Sequence, residues 1–144
     1  MSRNKGARGE REFIAILQEA VDEVMGEDAP ELKRNLFQTR EGGADVAGMP
    51  EALDFMALEI KRQEALNIEA WWNQTLEQAA GTNRIPVLAY RQSRRKWRVI
   101  MTAVFTALDG DARVTYTLSS FARIEVSLED FLNWFKHMLR GQNR

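Results

Sequence analysis

The sequence contains no cysteine and only one histidine, His137. The absence of cysteine excludes disulfides, thiol nucleophiles and zinc sites built on thiolates, and it is consistent with a reducing compartment. A single histidine excludes sites built on several imidazoles, and serine–histidine catalysis would need His137 itself as the base. We interpret His137, which falls in the last predicted helix, as a surface residue.

Long hydrophobic runs are also absent. No apolar stretch approaches the roughly 18 residues that a membrane span requires, and the opening residues 1–12, MSRNKGARGERE, are too polar for a signal peptide. These features predict a soluble, cytoplasmic protein with no membrane partner. The 144 residues suffice for a single domain, 1–144, that buries a core without disulfides.

The chain also lacks a strong net charge. A formal charge of −1 and a pI near 5.9 argue against nucleic-acid binding when taken alone. The basic residues are nevertheless concentrated at the start of the chain and in residues 84–98, a segment without acids. This asymmetry allows a basic face that binds phosphate backbones, and a merely solvated arginine-rich hairpin explains it equally well. The candidates from these two segments are Lys5, Arg8, Arg11, Arg91, Arg94, Arg95, Lys96 and Arg98.

Hydrophobic periodicity predicts three helices and several strands. The helices fall at about 8–25, 68–80 and 128–140, and Ser127 with Asp130 offers a capping box for the last. The strands fall near 35–40 and in 53–63, 85–92 and 97–105, with a possible hairpin around Gly110 within 106–126. This order predicts an α/β fold: a single domain with a central mixed β-sheet flanked by helices, in which the middle helix crosses between strands.

One short stretch, ALEIKRQ at 57–63, places Glu59 and Lys61 at the end of a predicted buried strand. Side chains alternate along a strand, so both charges point to one face and Ile60 to the other. An acid beside a lysine suits phosphodiester hydrolysis, because Glu59 can bind a hard cation such as Mg²⁺ and Lys61 can stabilise charge on phosphorus. An exposed ion pair on an edge strand is the alternative, and residues 31–33 repeat the same spacing in a polar connection.

A second and a third acid complete the candidate site. Asp45 lies 14 residues before Glu59, a separation that suits two adjacent strands joined by a turn. Glu10 lies near the start of the first helix. Three alternatives stay open: Asp45 as a turn former, Asp54 as its rival, and Glu10 as an acid placed on the helix dipole.

Three tryptophans divide between core and surface. Trp71 and Trp72 fall on the apolar stripe of the middle helix and are predicted to be core. Trp97, in the basic hairpin, is the better candidate for stacking on a nucleic-acid base.

Four motifs, in this order, resemble those of the archaeal Holliday junction resolvases, which belong to the PD-(D/E)XK nuclease superfamily. They are KGARGERE at 5–12, GGADV at 42–46, LEIKRQ at 58–63 and LEQA at 76–79. The resemblance covers about residues 5–101 and leaves 104–144 as a C-terminal extension of strand and helix. It implies a restriction-endonuclease-like core and a place in a prokaryotic cell, or phage-encoded within a host.

The resemblance also implies roles for individual residues. The implied catalytic residues are Glu10, Asp45, Glu59, Lys61 and Gln78. The implied Mg²⁺ ligands are Asp45, Glu59, the Ile60 carbonyl and Glu10, with Mn²⁺ as a substitute. Gln74, four residues before Gln78, is the alternative glutamine. The chain departs from the family at Ala44, where proline is usual, and at Arg62, where serine is common; Arg62 joins the DNA-binding candidates.

The function implied is that of a metal-dependent endonuclease that resolves four-way junctions by paired symmetric nicks. Two such nicks need two active sites related by a two-fold axis, so we expect a homodimer, with Trp134 and Phe121 as interface candidates. The alternatives are a related nuclease acting on flaps, ends or duplex DNA, a non-catalytic DNA-binding protein of the same fold, and an interaction protein in which Glu59 and Lys61 form an ordinary ion pair.

Overall fold

The computed structural model describes residues 2–35, 45–117 and 122–141. Within these ranges the three helices are α1 (Ser2–Met25), α2 (Ile68–Ala79) and α3 (Leu128–Gly141). The strands there are β1 (Lys33–Arg34), β2 (Val46–Ala47), β3 (Met56–Arg62), β4 (Ile85–Arg91), β5 (Arg98–Thr102), β6 (Val104–Asp109), β7 (Ala112–Thr117) and β8 (Arg123–Ser127). Single turns of 3-10 helix occur at Gly26–Asp28 and Glu51–Leu53. Of the helices described, none is both long and apolar enough to cross a membrane.

The main sheet has the strand order β3-β4-β5-β8. Strands β3 and β4 are parallel, and the other two pairs are antiparallel. A parallel pair needs a long crossover connection, and α2 supplies it. The predicted mixed sheet with helices on its faces is therefore confirmed.

The two faces of the sheet bury different sets of residues. Helices α1 and α3 pack together against one face, and α2 packs on β3 and β4 from the other. Along β3 the side chains of Leu58 and Ile60 enter the larger core, so Glu59 and Lys61 point toward α2. Burying a side chain such as Leu58 contributes about 1.5–3 kcal/mol. The core residues that are completely buried between these two helices and the sheet include Phe13, Leu17, Val21, Val87, Val99 and Phe135.

Several element boundaries differ from the prediction. Helix α1 begins at Ser2, whereas the sequence predicts a start near residue 8. The first turns carry no apolar stripe, so periodicity could not detect them. The apolar run 97–105 is divided at Ala103, whose N–H donates to the Ala122 carbonyl as the chain leaves the main sheet. Strand β8 was not predicted to join the main sheet, since most of its residues are exposed at a sheet edge.

Two local predictions concern turns and caps, and both are confirmed. Strands β6 and β7 form an antiparallel hairpin around Gly110, which has a positive φ of 64°. Positive φ is the conformation that a two-residue hairpin turn demands and glycine adopts freely. The Asp130 N–H donates to the Ser127 hydroxyl at 3.1 Å, so Ser127 caps α3. Residues 36–40 of the strand predicted near 35–40, and the interface candidate Phe121, lie outside the described residues.

Candidate active site

Asp45 is fixed to the edge of β3 by its backbone and its side chain. Its N–H donates to the Leu58 carbonyl at 2.9 Å, and its Oδ2 accepts a hydrogen bond from the Ile60 N–H at 2.7 Å. The Asp45 carbonyl accepts from the Asn35 N–H at 2.7 Å, which ties the preceding segment to the same place. Since Leu58 and Ile60 flank Glu59, the buried Asp45 carboxylate lies beside the Glu59 position.

Glu59 is a buried carboxylate with different surroundings for its two oxygens. Oε1 lies 3.8 Å from the Lys61 Nζ and accepts a hydrogen bond from Gln74 Nε2 at 3.3 Å. Oε2 is buried and has no hydrogen-bond partner among the residues that the structure describes. An unsatisfied buried carboxylate oxygen is costly, so this atom is suited to receive a cation.

The electrostatics of Glu59 point to the same conclusion. Burial is the main cause that raises the pKa of Glu59, to about 8, and the neighbouring negative charges of Asp45 and Glu10 raise it further. Lys61 acts in the opposite direction, since its positive charge favours the ionised form. Two adjacent buried carboxylates of this kind repel each other, and a divalent cation between them would remove the repulsion.

A cavity of about 390 Å³ opens beside these residues at the end of β3. Its polar side chains come from α1, β3, the connection that follows β3, and α2, so the crossover helix and the first helix both line it. The functional side chains in its wall are Glu10, Glu59, Lys61 and Gln74. The cavity brings three of the predicted catalytic residues together with one glutamine.

Glu10 is in the cavity wall, but its carboxylate has a partner of its own. Arg34 Nε donates to Glu10 Oε2 at 2.7 Å. Across the described residues, no three acidic or histidine side chains are close enough to hold one metal ion. In this geometry Glu10 therefore does not join Asp45 and Glu59 as a third direct ligand, because Arg34 holds its carboxylate.

The glutamine at the site is Gln74, whereas the sequence favoured Gln78. Gln74 donates to Glu59 Oε1 and lines the cavity, whereas Gln78 is not part of the cavity wall. Helix α2 follows β3 and runs back along it, so its earlier residues lie nearer the end of β3 where Glu59 stands. The spacing of the motif does not contain this information.

Two of the basic candidates are turned inward. Arg62 and Arg91 are largely buried and both contact the Glu12 carboxylate. Arg98, 43% exposed, pairs with Glu125 at 3.2 Å. Arg62 and Arg91 are poorly placed to contact a phosphate backbone, because Glu12 already compensates their charge.

The remaining basic candidates stay on the surface. Arg8 and Arg11 are exposed on α1, and Arg94, Arg95 and Lys96 are exposed in the turn between β4 and β5. The side chain of Lys5 lies outside the described part of the chain.

The stacking role predicted for Trp97 is wrong. This side chain is 3% exposed, its ring lies 4.9 Å from that of Phe13, and its Nε1 donates to Glu12 at 2.9 Å. Trp71 and Trp72 are buried, as predicted. The basic sequence around Trp97 gave no sign that α1 covers it.

Three further residues fall where the alternatives can be judged. Asp54, the rival of Asp45, is paired with Arg84 at 3.0 Å at the opposite end of β3. His137 is exposed, as expected. Trp134 is partly buried against the core and makes an edge contact with Phe55 at 5.8 Å.

One residue of the site was missed from the sequence. Arg34 contacts Glu10 from the short strand β1, 24 positions along the chain. The sequence does carry a hint, since Arg34 shortly precedes the segment that contains Asp45, but a lone arginine in a polar connection gives no reason to select it.

Comparisons with known proteins identify the fold and the family of the chain. The solved structure of Hjc, a Holliday junction resolvase from the archaeal hyperthermophile Archaeoglobus fulgidus, matches with a TM-score of 0.52 and 16% identity, over 90% of this chain and 96% of that one. At this identity the similarity shows the fold. The family described as "Phage putative PDDEXK endonuclease" matches residues 1–140. A search of curated proteins found no match.

The fold and the carboxylate–lysine site thus define a nuclease of the PD-(D/E)XK class, with the fold of the archaeal Holliday junction resolvases. The chain belongs to the phage PDDEXK endonuclease family, whose match extends over nearly its whole length.

Proposed function

We propose that the protein is a Mg²⁺-dependent endonuclease that resolves four-way DNA junctions by paired symmetric nicks. The observation that carries the catalytic part is the pair of buried carboxylates, Asp45 at the edge of β3 and Glu59 within β3 beside Lys61. Glu59 is part of β3, and Asp45, which directly precedes β2, is hydrogen-bonded to the same strand through the Ile60 N–H; two acids placed together in this way suit metal-assisted phosphodiester hydrolysis.

The donor set fits a hard divalent cation. Asp45, Glu59 and the Ile60 carbonyl would hold Mg²⁺, or Mn²⁺ in its place, because these ions prefer oxygen ligands. The bound ion supplies Lewis-acid polarisation of the scissile phosphate and a more acidic water. Glu10, held by Arg34, adds negative charge to the same cavity and supports the ion through its water shell.

The other residues of the cavity act on the phosphate and on Glu59. Lys61 presents an ammonium group to the position where charge develops on the phosphate oxygens. Gln74 holds Glu59 through Oε1, which leaves Oε2 for the cation. Because Lys61 acts on the phosphate, removing it should lower the cleavage rate more than the affinity of the protein for the metal.

The exposed basic residues supply the DNA contacts. Arg8, Arg11 and the turn residues Arg94, Arg95 and Lys96, together with Lys5, bind phosphates without reading sequence. Arg98 contributes less because of its pairing with Glu125, and Arg62 and Arg91 contribute less because Glu12 compensates their charge. DNA affinity should fall steeply with salt, and replacing the three turn residues with alanine should flatten that dependence.

The junction substrate is supported by the likeness to Hjc, which is a Holliday junction resolvase. The homodimer follows from the paired nicks, which need two active sites related by a two-fold axis. A second candidate is an endonuclease of the same class acting on flaps, ends or duplex DNA. It is favoured by the family description, which names an endonuclease without a junction.

The test is a nicking assay with a four-way junction, a flap and a linear duplex of the same sequence in Mg²⁺. We expect symmetric nicks in the junction and slower cleavage of the duplex. Asp45→Asn and Lys61→Ala should each lower the cleavage rate at least about a hundredfold, whereas Asp54→Asn, which changes an exposed aspartate outside the site, should cleave at the wild-type rate. Equal rates on all substrates would support the second candidate. Binding without cleavage of any DNA in Mg²⁺ or Mn²⁺ would instead indicate a non-catalytic protein.

A further inference from the structure

A largely buried ion cluster lies where α1 crosses the ends of β3 and β4. Arg62 and Arg91 are direct neighbours in the parallel register of these strands. Their side chains are only 13% and 22% exposed, and adjacent like charges destabilise a sheet. Two guanidinium groups held this close therefore require an anion between them.

Glu12 of α1 is that anion. Its Oε2 lies 3.6 Å from Arg62 Nη1, and its Oε1 accepts hydrogen bonds from Arg91 Nη1 and, at 2.9 Å, from Trp97 Nε1. The Arg91 guanidinium also lies 6.0 Å from the centre of the Trp97 ring, within cation–π range. One side chain of α1 thus binds β3, β4 and the residue that precedes β5.

The same helix meets β3 at a second point, three residues earlier. A Cβ placed on Gly9 would lie 2.7 Å from the Cβ of Arg62, so only glycine permits this approach. Gly9 directly precedes Glu10, the acid that α1 contributes to the cavity. The contacts of Gly9 and Glu12 together fix both the distance and the rotation of the segment that carries Glu10.

We propose that Glu12 is a positioning residue of the nuclease site, which binds Arg62 and Arg91 and so keeps Glu10 in the cavity with Glu59. The proposal rests on the proposed function, because it concerns how that site is assembled. Glu12 does not line the cavity, but its partner Arg62 does, so its influence passes through helix α1 and through Arg62. The proposal also accounts for Arg62, which stands where the resolvase motif commonly has serine: its side chain pairs with Glu12 and packs against Gly9.

Two simpler roles make different predictions. A purely structural Glu12 would affect the stability of the protein and nothing at the metal site. A Glu12 that only screens the arginines would, when neutralised, release positive charge and strengthen DNA binding. Any loss of metal affinity caused by the freed charge of Arg62, which lines the cavity, would then add to the loss in Glu10→Gln. The positioning role predicts weaker metal binding that depends on Glu10.

The experiment is a double-mutant cycle read out by calorimetric titration with Mn²⁺ in the absence of DNA. Its members are the wild type, Glu12→Gln, Glu10→Gln and the double variant, with Glu19→Gln, an exposed glutamate of the same helix, as the control. We expect Glu12→Gln to weaken Mn²⁺ binding about tenfold, the lower end of the loss usual when an outer-shell partner of a metal site is altered. The double variant should then bind no more weakly than Glu10→Gln alone, and the control should match the wild type.

Additive losses in the cycle, or wild-type Mn²⁺ affinity in Glu12→Gln, would overturn the proposal. If Glu12→Gln fails to fold, Gly9→Ala replaces it in the cycle, because the added Cβ displaces α1 from Arg62 without changing any charge. A folded Gly9→Ala protein with unchanged Mn²⁺ affinity would overturn the proposal as well.

The Mn²⁺ readout separates this inference from the proposed function. A wild-type protein that binds Mn²⁺ and cuts no DNA would disprove the proposed function, and the cycle would still decide the role of Glu12. A wild-type protein with no measurable affinity for Mn²⁺ would overturn both.

Discussion

The Asp45 carboxylate accepts a hydrogen bond from the Ile60 backbone N–H at 2.7 Å, so the side chain that is placed to bind a metal also completes the edge of β3. These two roles can be separated by substitution, because asparagine retains the accepting oxygen and loses the charge, whereas alanine loses both.

We expect Asp45→Asn to fold with nearly wild-type stability and to lose at least about a hundredfold in cleavage rate, as is usual when a group central to the reaction is removed. Asp45→Ala should lose the same activity and be destabilised by about 1–3 kcal/mol, because the buried Ile60 N–H then has no acceptor. Urea unfolding and single-turnover nicking measure the two effects. Equal stability of both variants would contradict the structural role of the Asp45 oxygen.

The second prediction concerns Glu59 in protein freed of metal by a chelator. The pKa of Glu59 is about 8 in the folded state, well above its ordinary value of 4.5. Between these values the folded state binds more protons than the unfolded state, so stability should decrease as pH rises from 4.5 to 8. The slope for one proton is at most about 1.4 kcal/mol for each pH unit.

Thermal unfolding at several pH values in this window measures the decrease. Glu59→Gln, which cannot titrate, should flatten the dependence, and Mg²⁺ should restore stability to the wild type alone at pH 8, because a ligand that binds only the folded state stabilises it. A wild-type profile as flat as that of Glu59→Gln would contradict the prediction.

The third prediction concerns Gly48, which follows β2 close to Asp45. Its φ is +84°, and a Cβ there would lie 2.6 Å from the Glu31 carbonyl oxygen. Gly81 provides the control, since its φ is +78° but open space surrounds it. Gly48→Ala should therefore destabilise the protein by at least about 2 kcal/mol and Gly81→Ala by about 1 kcal/mol. Urea unfolding distinguishes them, and equal losses would mean that the close contact has no effect.

Much of the site follows from periodicity alone. The alternation along β3 places Glu59 and Lys61 on one face and Leu58 and Ile60 on the other, and the apolar pattern assigns all three helices. These features depend on local geometry, which the sequence contains directly.

The parts that could not be predicted depend on contacts between distant segments. The burial of Trp97 requires Phe13 and Glu12, which are more than 80 positions away in the chain, and nothing in the basic turn indicates them. The position of Arg34 at Glu10 likewise depends on how β1 folds back against α1. Sequence pattern identifies which residues can take part in such contacts, but the packing of α1 across the sheet decides which of them meet.

The last prediction tests the choice between the two glutamines of α2. Gln74 donates to Glu59 Oε1 at 3.3 Å, whereas Gln78 lies one turn further from the end of β3. Gln74→Ala should lower the cleavage rate about tenfold, because Glu59 loses the group that orients it. Hydrogen bonds to a metal-binding side chain typically contribute a factor of this size. Gln78→Ala, which removes the same chemical group from the same helix, should cleave within about twofold of the wild type. Single-turnover nicking at saturating Mg²⁺ compares the two variants. A larger loss of rate in Gln78→Ala would show that Gln78, the glutamine of the LEQA motif, is the one that acts at the site.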